Sequence, residues 1–416
     1  MQGLHLTADL YACQCGTALM INADTLAALC TRAIESVGLT LVDQKFHTFP
    51  SWQGHPGGVT GAVMLAESHV ALHTWPERAE VTLDVYVCNF STNNSSKAER
   101  LLDDLITAFA PGHQITNRIL RGSKDADGQS DELLLEWTNP NSAHGFRVER
   151  RIETRRTPYQ MLEVLETPQW GKLLRLDGCY MSSERDEFHY HEPMVHTAAL
   201  AHPAPRSALV IGGGDGGAVE ELLKHPAIER VTLVELDAAV IDVAREHLAA
   251  IHRGCFDDPR VQVCIDDGAA YVAREAAQPG GARFDLAVLD LTDPDTPARA
   301  LYTAEFFARL RSLLTPDGMV TLHIGSPIYR PERVRHLVMS LRSVFPIVRP
   351  FGVFVPLYGS YWGMACASGE TDPAVLTSEE VEHRLQARGI GDLQYLNGDA
   401  YRALFALPNY YRALVR

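Results

Sequence analysis

Residues 1–110 alternate between apolar and polar positions in a way typical of a small domain that mixes helices and strands. LHLTADLYA, GAVMLAES and AEVTLDVYVC have the period of two expected of strands with one buried face. Asp24 is predicted to cap a helix through TLAALCTRAIESVG, whose apolar residues recur at helical spacing until Gly38. A closing helix is predicted from Ser96 to Ala110. We predict an α+β sandwich-type domain over residues 1–110.

The pattern changes twice beyond this domain. Residues 111–131 contain few large apolar residues and cluster Gly, Ser, Asp and Lys, which predicts a linker. Short alternating runs predict a small β region over 132–200. From 201 to 416, apolar runs such as SALVIGGG, RVTLVEL and FDLAVLD alternate with helical stretches. This alternation predicts a doubly wound, parallel α/β sheet of the Rossmann-like type.

Composition narrows the class of protein. A chain of 416 residues is too long for one ordinary core, which agrees with several domains. No run of about 18 apolar residues occurs, and the N-terminus has no signal-peptide pattern, so we expect no membrane partner and a cytoplasmic location. The net charge of −15 argues against nucleic acid. Eight cysteines without paired metal spacing argue for free thiols and no metal site.

A glycine-rich turn, GGGDGG, joins a predicted strand to a predicted helix. Such a turn lets the backbone approach a nucleotide-type ligand closely. Glu235 ends the next strand and Asp267-Gly268 end the one after, so three strand ends are expected to meet at one nucleoside. Asp215 inside the turn is a poor neighbour for a pyrophosphate, which favours a cationic S-adenosyl compound over NAD.

The fourth strand end carries two carboxylates, Asp290 and Asp293, in the turn DLTDP. An alkyl ammonium group has a pKa of about 10.4 and must lose a proton before its nitrogen attacks carbon. Two acids at the ligand edge of the sheet are suited to bind such a group and accept its proton. A solvated turn is the alternative interpretation of the same residues.

Residues 137–416 resemble an aminopropyltransferase of the spermidine synthase family. The motifs that carry the resemblance follow one another along this segment: YQ at 159–160, WGKLL, LDG, ERDEFHYHE, GGGDGG, VELD, DG and DLTDP. The resemblance implies transfer of an aminopropyl group from decarboxylated S-adenosylmethionine to an amine, with putrescine as the expected acceptor and Asp290 as proton acceptor. The substrate-binding positions it implies are Gln160, Tyr190, His191, Asp215, Glu235, Asp267, Gly268, Asp293 and Tyr358.

Two segments depart from that family's pattern. His323-Ile-Gly-Ser stands where the family usually has a Gln before a Glu-Ser pair, and Leu357-Tyr-Gly-Ser-Tyr stands where it has Thr-Tyr-Pro-Ser-Gly. Both segments border the acceptor site in the family, so the acceptor amine stays open. An S-adenosylmethionine-dependent methyltransferase shares the glycine turn and Glu235, but the DLTDP and DEFHYHE segments speak against it.

A second set of motifs lies near residue 68. Ser68, a histidine and Asp84 could suggest a hydrolase triad, but no G-x-S-x-G elbow is present. Residues 3–110 instead resemble the small prokaryotic class of S-adenosylmethionine decarboxylase. The motifs that carry this resemblance are DLYAC, FHTF, GVTG, AESH, HTWPE and DVYVC.

This second resemblance implies a self-made pyruvoyl cofactor and no metal. Ser68 would attack the Glu67 carbonyl, the chain would be cleaved between them, and the pyruvoyl group left at 68 would form a Schiff base with the substrate. His73 would assist processing, Thr60 matches a processing hydroxyl, and Cys88 would be the proton donor.

Together the two resemblances predict a bifunctional polyamine biosynthesis enzyme that forms homo-oligomers and whose first product is the substrate of its second site. The loop SWQGHPGG lengthens the first domain relative to its family, so decarboxylation of ornithine or arginine stays an alternative. A further alternative is that one half is a non-catalytic regulatory module, against which the intact Ser68, His73, Cys88 and Asp290 count.

Overall fold

The computed structural model describes residues 3–52, 54–89, 93–122, 132–278, 280, 283–294 and 296–416. The chain forms two compact units, Met1–Glu132 and Leu133–Arg416. Within the described residues no helix is both long and apolar enough to span a membrane.

The first unit is a six-stranded antiparallel sheet in the order β2-β3-β4-β5-β1-β6, with helices against one face. On β1 the side chains of Leu4, Leu6 and Leu10 are buried beneath the helices, whereas the alternate residues lie on the opposite, open face. The elements are β1 (Gly3–Tyr11), α1 (Thr17–Ile21), α2 (Ala23–Ser36), β2 (Leu41–Thr48), β3 (Val59–Leu65), β4 (Ser68–Trp75), β5 (Glu80–Cys88), α3 (Ser95–Phe109) and β6 (His113–Arg121).

Two local predictions for this unit were wrong. Asn22, not Asp24, caps α2, because its Oδ1 accepts a hydrogen bond from the Thr25 amide at 2.8 Å. The segment expected to be a linker from 111 contains β6, which pairs with β1 along its whole length. The described side chains of β6 are exposed, so the strand carries no apolar alternation and rests on backbone hydrogen bonds. Residues 123–131 of the expected linker lie outside the described part.

The second unit opens with two small sheets. A hairpin of β7 (Glu132–Asn139) and β8 (Ser142–Val148) precedes a four-stranded antiparallel sheet in the order β12-β11-β10-β9. The strands of that sheet are β9 (Arg150–Arg156), β10 (Met161–Thr167), β11 (Gly171–Leu176) and β12 (Cys179–Ser183).

A seven-stranded sheet in the order β15-β14-β13-β16-β17-β19-β18 follows. The first five strands are parallel, as predicted, but β17–β19 and β19–β18 pair antiparallel. The strand order reverses beside β13, where ligands bind in open α/β sheets. The strands are β13 (Ser207–Gly212), β14 (Arg230–Glu235), β15 (Val261–Ile265), β16 (Phe284–Asp290), β17 (Leu314–Gly325), β18 (Ile347–Val355) and β19 (Ser360–Ser368).

The helices of this unit also correct the predicted boundary at 200/201. The first of them, α4, is buried along almost its whole length and packs on α5, β17 and β18, so residues 188–200 belong with the large sheet. The helices are α4 (Phe188–Ala201), α5 (Gly217–Leu223), α6 (Ala238–His247), α7 (Ala249–His252), α8 (Gly268–Ala277), α9 (Ala304–Ser312), α10 (Pro331–Arg342), α11 (Ser378–Arg388), α12 (Gly398–Leu404) and α13 (Asn409–Leu414).

Candidate functional sites

Ser68 lies at the start of β4, directly after the two-residue turn formed by Ala66 and Glu67. The run GAVMLAES had predicted a strand that includes Glu67 and Ser68, whereas the structure ends β3 at Leu65 and begins β4 at Ser68. Ser68 has a φ of 153°, a value that residues with a Cβ rarely adopt. The backbone is therefore strained at the peptide bond between Glu67 and Ser68.

The Glu67 carbonyl accepts a hydrogen bond from the backbone N–H of Cys88 at 2.9 Å. Cys88 ends β5, which pairs with β4, so sheet register places this donor at the carbonyl. A backbone N–H aimed at a carbonyl oxygen stabilises the negative charge that develops when a nucleophile attacks the carbon. The Ser68 hydroxyl, predicted from the sequence to be the nucleophile, is the next side chain along the chain.

A row of polar side chains follows Ser68 on the open sheet face. Ser68 Oγ lies 3.2 Å from His69 Nδ1, and Asp84 Oδ2 lies 2.8 Å from His5 Nε2. His69 Nε2 and Asp84 Oδ1 are 3.7 Å apart, which is too long for a hydrogen bond, so no hydrolase triad is assembled. Sequence reasoning did not single out His69, although strand alternation from His73 places it on the same face.

His73 does not reach Ser68 within one chain. The two residues are five positions apart on β4, a separation of roughly 16 Å along a strand. His73 Nδ1 lies instead 2.8 Å from Thr60 Oγ1 on the neighbouring β3. The role of His73 in processing therefore stays a prediction, and within one chain the two residues are kept apart because both lie on one extended strand.

In the second unit the glycine-rich turn lies against the end of β16. A Cβ at Gly212 would come within 2.1 Å of the Asp290 carbonyl oxygen, and one at Gly213 within 2.7 Å of Asp290 Oδ2. Both glycines also have positive φ, at 76° and 67°. Only glycine permits this approach, which brings the turn and the Asp290 carboxylate into one site.

The carboxyl ends of β13, β14 and β16 and the start of α8 line one cavity. Asp267 caps α8 by accepting a hydrogen bond from the Ala270 amide at 2.8 Å, which orients its carboxylate at the rim. The sequence-predicted residues that line this cavity are Gln160, Tyr190, His191, Asp215, Glu235, Asp267, Gly268, Asp290 and Tyr358.

One residue at this cavity escaped the sequence prediction of the site. Asp237 Oδ2 accepts hydrogen bonds from Gln160 Nε2 at 3.0 Å and Thr157 Oγ1 at 2.7 Å. Its backbone N–H donates to Glu235 Oε1 at 2.9 Å. Asp237 thus holds two of the predicted binding residues in place. The VELD motif contains Asp237 and could have indicated it, but the sequence analysis gave a role only to the glutamate of that motif.

Burial disfavours the ionised form of two acids of this cavity, Glu235 and Asp215. It raises the pKa of Glu235 to about 7, although the Asp237 amide partly offsets the effect. Burial also raises the pKa of Asp215, against the lowering effect of nearby His191. A cationic or hydrogen-bond-donating ligand would favour the ionised forms of both carboxylates.

His191 lies at the centre of these acids. Its Nδ1 is 2.8 Å from Glu187 Oε2, and its Nε2 is 3.8 Å from Asp215 Oδ2 and 3.7 Å from Asp290 Oδ2. Burial opposes protonation, but the three carboxylates outweigh it and raise the pKa of His191 well above its ordinary value. His191 is therefore an imidazolium that compensates buried negative charge.

Two groups of described residues have metal-type ligand atoms within 4.8 Å of one another: His191, Asp215 and Asp290, and Glu153, Glu246 and His247. In the first, the carboxylates around His191 favour its protonated form, which has no lone pair for a metal. In the second, Arg155 donates to Glu153 at 2.7 Å and supplies the balancing cation. Neither donor set favours a metal, so the absence of one stays a prediction.

A second cavity adjoins the first and shares Gln160, Tyr190 and Tyr358 with it. Glu136, Asp177 and Asp293 contribute carboxylates to its lining. Burial raises the pKa of Glu136 to about 7, so a cationic ligand would favour its ionised form. The hydroxyl of Tyr358 donates to the Met181 carbonyl at 2.7 Å, which fixes the ring between the cavities.

Asp293, predicted to bind the acceptor, lines the second cavity and also contacts a cation. Its Oδ2 is 2.7 Å from Arg333 Nη1, in an ion pair with α10. The carboxylate lines the second cavity, but its charge is already matched by a cation. Of the acids there, Glu136 and Asp177 are expected to carry more of the attraction for an ammonium group.

Family models match three consecutive parts of the chain: S-adenosylmethionine decarboxylase over residues 4–122, the spermidine synthase tetramerisation domain over 134–184, and the spermine/spermidine synthase domain over 187–378. The chain is 45% identical over 286 residues to a polyamine aminopropyltransferase of Nitrosomonas europaea, covering 69% of this chain and 86% of that protein. It is 38% identical to one from Pyrobaculum neutrophilum, covering 66% and 94%.

Solved structures show the same relationship for the second unit. A spermidine synthase in complex with the transition-state analogue AdoDATO has 31% identity, a TM-score of 0.65, and coverage of 71% of this chain and 98% of its own. A spermidine synthase from Thermotoga maritima has 31% identity and a TM-score of 0.64, with 71% and 97% coverage. The predicted Rossmann-like fold is thereby confirmed.

Proposed function

The chain belongs to the polyamine aminopropyltransferase family and carries an S-adenosylmethionine decarboxylase domain ahead of the transferase. We propose that each of its two units catalyses one of two successive reactions. The first unit decarboxylates S-adenosylmethionine at Ser68. The second transfers the aminopropyl group of the product to putrescine and releases spermidine and methylthioadenosine. The observation that carries the second half is the pair of adjoining acidic cavities that meet at Tyr190 and Tyr358.

The first of these cavities suits the nucleoside donor. Glu235 and Asp267 offer carboxylate oxygens to ribose hydroxyls or adenine amines at successive strand ends. Gln160, held by Asp237, stands at the same rim. The carboxylate of Asp215 favours a ligand that carries the positive charges of a sulfonium and an ammonium group.

The transfer itself needs positioning and one proton acceptor. The acceptor nitrogen bonds to the aminopropyl carbon, the carbon–sulfur bond breaks, and its electron pair leaves on the sulfur as a neutral thioether. The nitrogen gives up its proton to Asp290, whose Oδ2 is buried and has no hydrogen-bond partner in the described part of the chain. His191, 3.7 Å away, remains protonated and keeps the acids together.

The second cavity suits a diamine. Glu136 and Asp177 are carboxylates that can receive a second ammonium group while the first nitrogen is oriented towards Asp290. Tyr190 and Tyr358 stand between them and pack against an alkyl chain. This arrangement supports putrescine, whose two nitrogens are separated by four methylene groups, over a monoamine.

In the first unit, the strained turn prepares the chain for self-cleavage. Ser68 Oγ attacks the Glu67 carbonyl carbon, the Cys88 amide stabilises the oxyanion, and the peptide becomes an ester. Elimination releases the Glu67 carboxylate as a new C-terminus. Water then replaces the nitrogen at position 68, which leaves as ammonia. The resulting pyruvoyl ketone supplies an electron sink for loss of carbon dioxide.

Within one chain, Cys88 lies close to the Glu67–Ser68 bond, whereas His73 lies far from it. The Cys88 amide binds the Glu67 carbonyl, so its thiol is placed on the same strand end to donate a proton after decarboxylation. His73 and Thr60 lie together on the open face, far along β4 from their own Ser68. His73 from a second copy of the chain could supply the proton transfer at the first copy's Ser68. We therefore propose a homo-oligomer with composite first sites.

The experiment that tests both halves begins with the intact mass of the denatured protein. We expect two chains, residues 1–67 and residues 68–416, the larger without an N-terminal amine. The same preparation with carboxyl-labelled S-adenosylmethionine and putrescine should release labelled carbon dioxide and form methylthioadenosine and spermidine. The Ser68→Ala variant is the matched control and should make none of these from S-adenosylmethionine. A cleaved wild-type protein that releases no carbon dioxide would refute the first half.

The transferase is tested separately by supplying decarboxylated S-adenosylmethionine to the Ser68→Ala variant. Formation of methylthioadenosine with putrescine is expected, since the second unit has its own cavities and core. Failure with putrescine but turnover with a longer diamine would replace the proposed acceptor. Failure with every amine would refute the transferase half alone.

A further inference from the structure

His323 on β17 is locked in one tautomer. Its Nε2 lies 2.7 Å from the Leu291 carbonyl oxygen and 2.7 Å from Tyr302 Oη. A carbonyl oxygen only accepts hydrogen bonds, so Nε2 carries the proton. The Tyr302 hydroxyl donates to the Thr292 carbonyl at 2.9 Å, which leaves its oxygen free to accept from Nε2. Neutral His323 therefore holds an unprotonated Nδ1.

That Nδ1 is a buried acceptor without a partner in the described part of the chain. The residue is 3% exposed and lines the second cavity, where the amine is proposed to bind. Buried polar atoms are nearly always hydrogen-bonded, and the exceptions concentrate where a ligand completes the set. An amine N–H is a donor of the required kind.

The groups around His323 come from five elements. Tyr190 of α4 and Trp362 of β19 face its ring, and Tyr302 binds its Nε2. Burial is the largest influence and lowers the pKa of His323, while Asp293 and Asp290 oppose it and Arg333 of α10 assists it. The ring thus stays neutral near neutral pH, with Nδ1 available as an acceptor.

We propose that His323 Nδ1 accepts a hydrogen bond from the acceptor amine and makes amine binding fail in acid. This inference rests on the proposed transferase function. Protonation of Nδ1 would turn the acceptor into a donor and place a second positive charge against the ammonium group. A glutamine, the residue usual in the family at this position, offers an amide that donates and accepts but does not titrate.

Two variants separate binding from folding. His323→Phe keeps a ring and removes both nitrogens. His323→Gln restores an N–H for Leu291 and an oxygen acceptor without an acid–base equilibrium. The full chain is assayed with decarboxylated S-adenosylmethionine and putrescine between pH 5.5 and pH 8.5, a range that brackets the ordinary histidine pKa of about 6.5. The KM of each substrate is measured separately, and the thermal midpoint of each variant is recorded.

We expect His323→Phe to raise the amine KM about 5- to 100-fold, as for an unpaired buried polar group, with the donor KM within about twofold of wild type. His323→Gln should restore the amine KM at pH 8. Because burial lowers the pKa of His323, the wild-type to His323→Gln ratio of kcat/KM for the amine should fall only at pH values below the ordinary histidine pKa of about 6.5. The pH dependence that wild type and variant share, such as the protonation of the amine itself, cancels in that ratio.

A ratio that is flat with pH would overturn the proposal, even if His323→Phe fails to fold. Equal increases in both KM values, with a lowered thermal midpoint, would also overturn it, because they indicate a structural role only. If the wild-type chain transfers no aminopropyl group to any amine, the transferase function itself fails, and that result is distinct from both of these.

Discussion

Glu235 provides the sharpest test of the electrostatics of the nucleoside cavity. Burial raises its pKa from an ordinary value of 4.5 to about 7, and the charges of Asp237 and Asp290 add to the effect. One pKa unit corresponds to about 1.4 kcal/mol, so ionised Glu235 costs the folded ligand-free protein about 3 kcal/mol. Replacement by Gln removes the charge and keeps an oxygen that can accept from the Asp237 amide at this position.

The direction of the pH effect on stability follows because the pKa of Glu235 is higher in the folded protein than in the unfolded chain. The favourable contribution of protonated Glu235 is fully present below about pH 4.5 and is lost as the pH rises through about 7. Glu235→Gln does not titrate. We therefore expect it to stabilise the second unit relative to wild type by about 3 kcal/mol at pH 8 and by only about 1 kcal/mol at pH 5.

The assay is thermal unfolding of the full ligand-free chain at both pH values. The transition of the second unit is identified by its upward shift when methylthioadenosine is added. With about 2 °C per kcal/mol for a unit of this size, Glu235→Gln should gain about 4 °C more at pH 8 than at pH 5. Glu229→Gln, whose side chain is 67% exposed, is the matched control and should show no such difference.

An equal shift at both pH values, or destabilisation at pH 8, would refute the reasoning about burial. Activity should change in the opposite direction to stability. Glu235→Gln loses charge-assisted hydrogen bonds to the nucleoside, each worth about 1.5–3 kcal/mol, so the donor KM should rise about 10-fold or more.

Three further substitutions test the remaining site assignments. Ser68→Ala should leave one uncleaved chain on a denaturing gel, and a cleaved variant would show that another residue is the nucleophile. Cys88→Ala keeps the backbone N–H at the Glu67 carbonyl, so self-cleavage should continue. Because the thiol is lost, carbon dioxide release should fall about 10²- to 10⁴-fold. Undiminished release would show that the thiol has no part in the mechanism. Asp290→Asn should lower the transferase kcat about 10²- to 10⁴-fold, with the decarboxylation rate of the same chain as the internal reference. An unchanged kcat with a raised KM for the amine would assign Asp290 to binding instead.

Much of the nucleoside site was predictable from sequence because it depends on local order along the chain. In a parallel sheet the carboxyl ends of all strands lie at one edge, so residues that end apolar runs are brought together whatever the details of packing. Glu235, Asp267 and Asp290 are such residues, and all three line the same cavity. The motifs near Ser68 likewise indicated the two residues of the proposed cleavage site, Glu67 and Ser68.

Other features arise from contacts between residues distant in the chain. β6 has described side chains that are exposed, so only its backbone pairing with β1 distinguishes it from a linker. Asp293 meets Arg333 across 40 residues, and His191 gathers carboxylates from the glycine turn and β16. Short sequence patterns cannot predict such pairings, because each partner on its own is an ordinary polar residue.

The sequence by itself determined the two families of chemistry, the order of the two units, and the strand-end acids of the second. Only the tertiary structure decided the protonation of His191, the tautomer of His323, and the distance of His73 from Ser68. The physical reason is that protonation states, tautomers and distances between side chains depend on burial and on neighbouring residues from other elements. These are fixed only when the sheets and helices pack together.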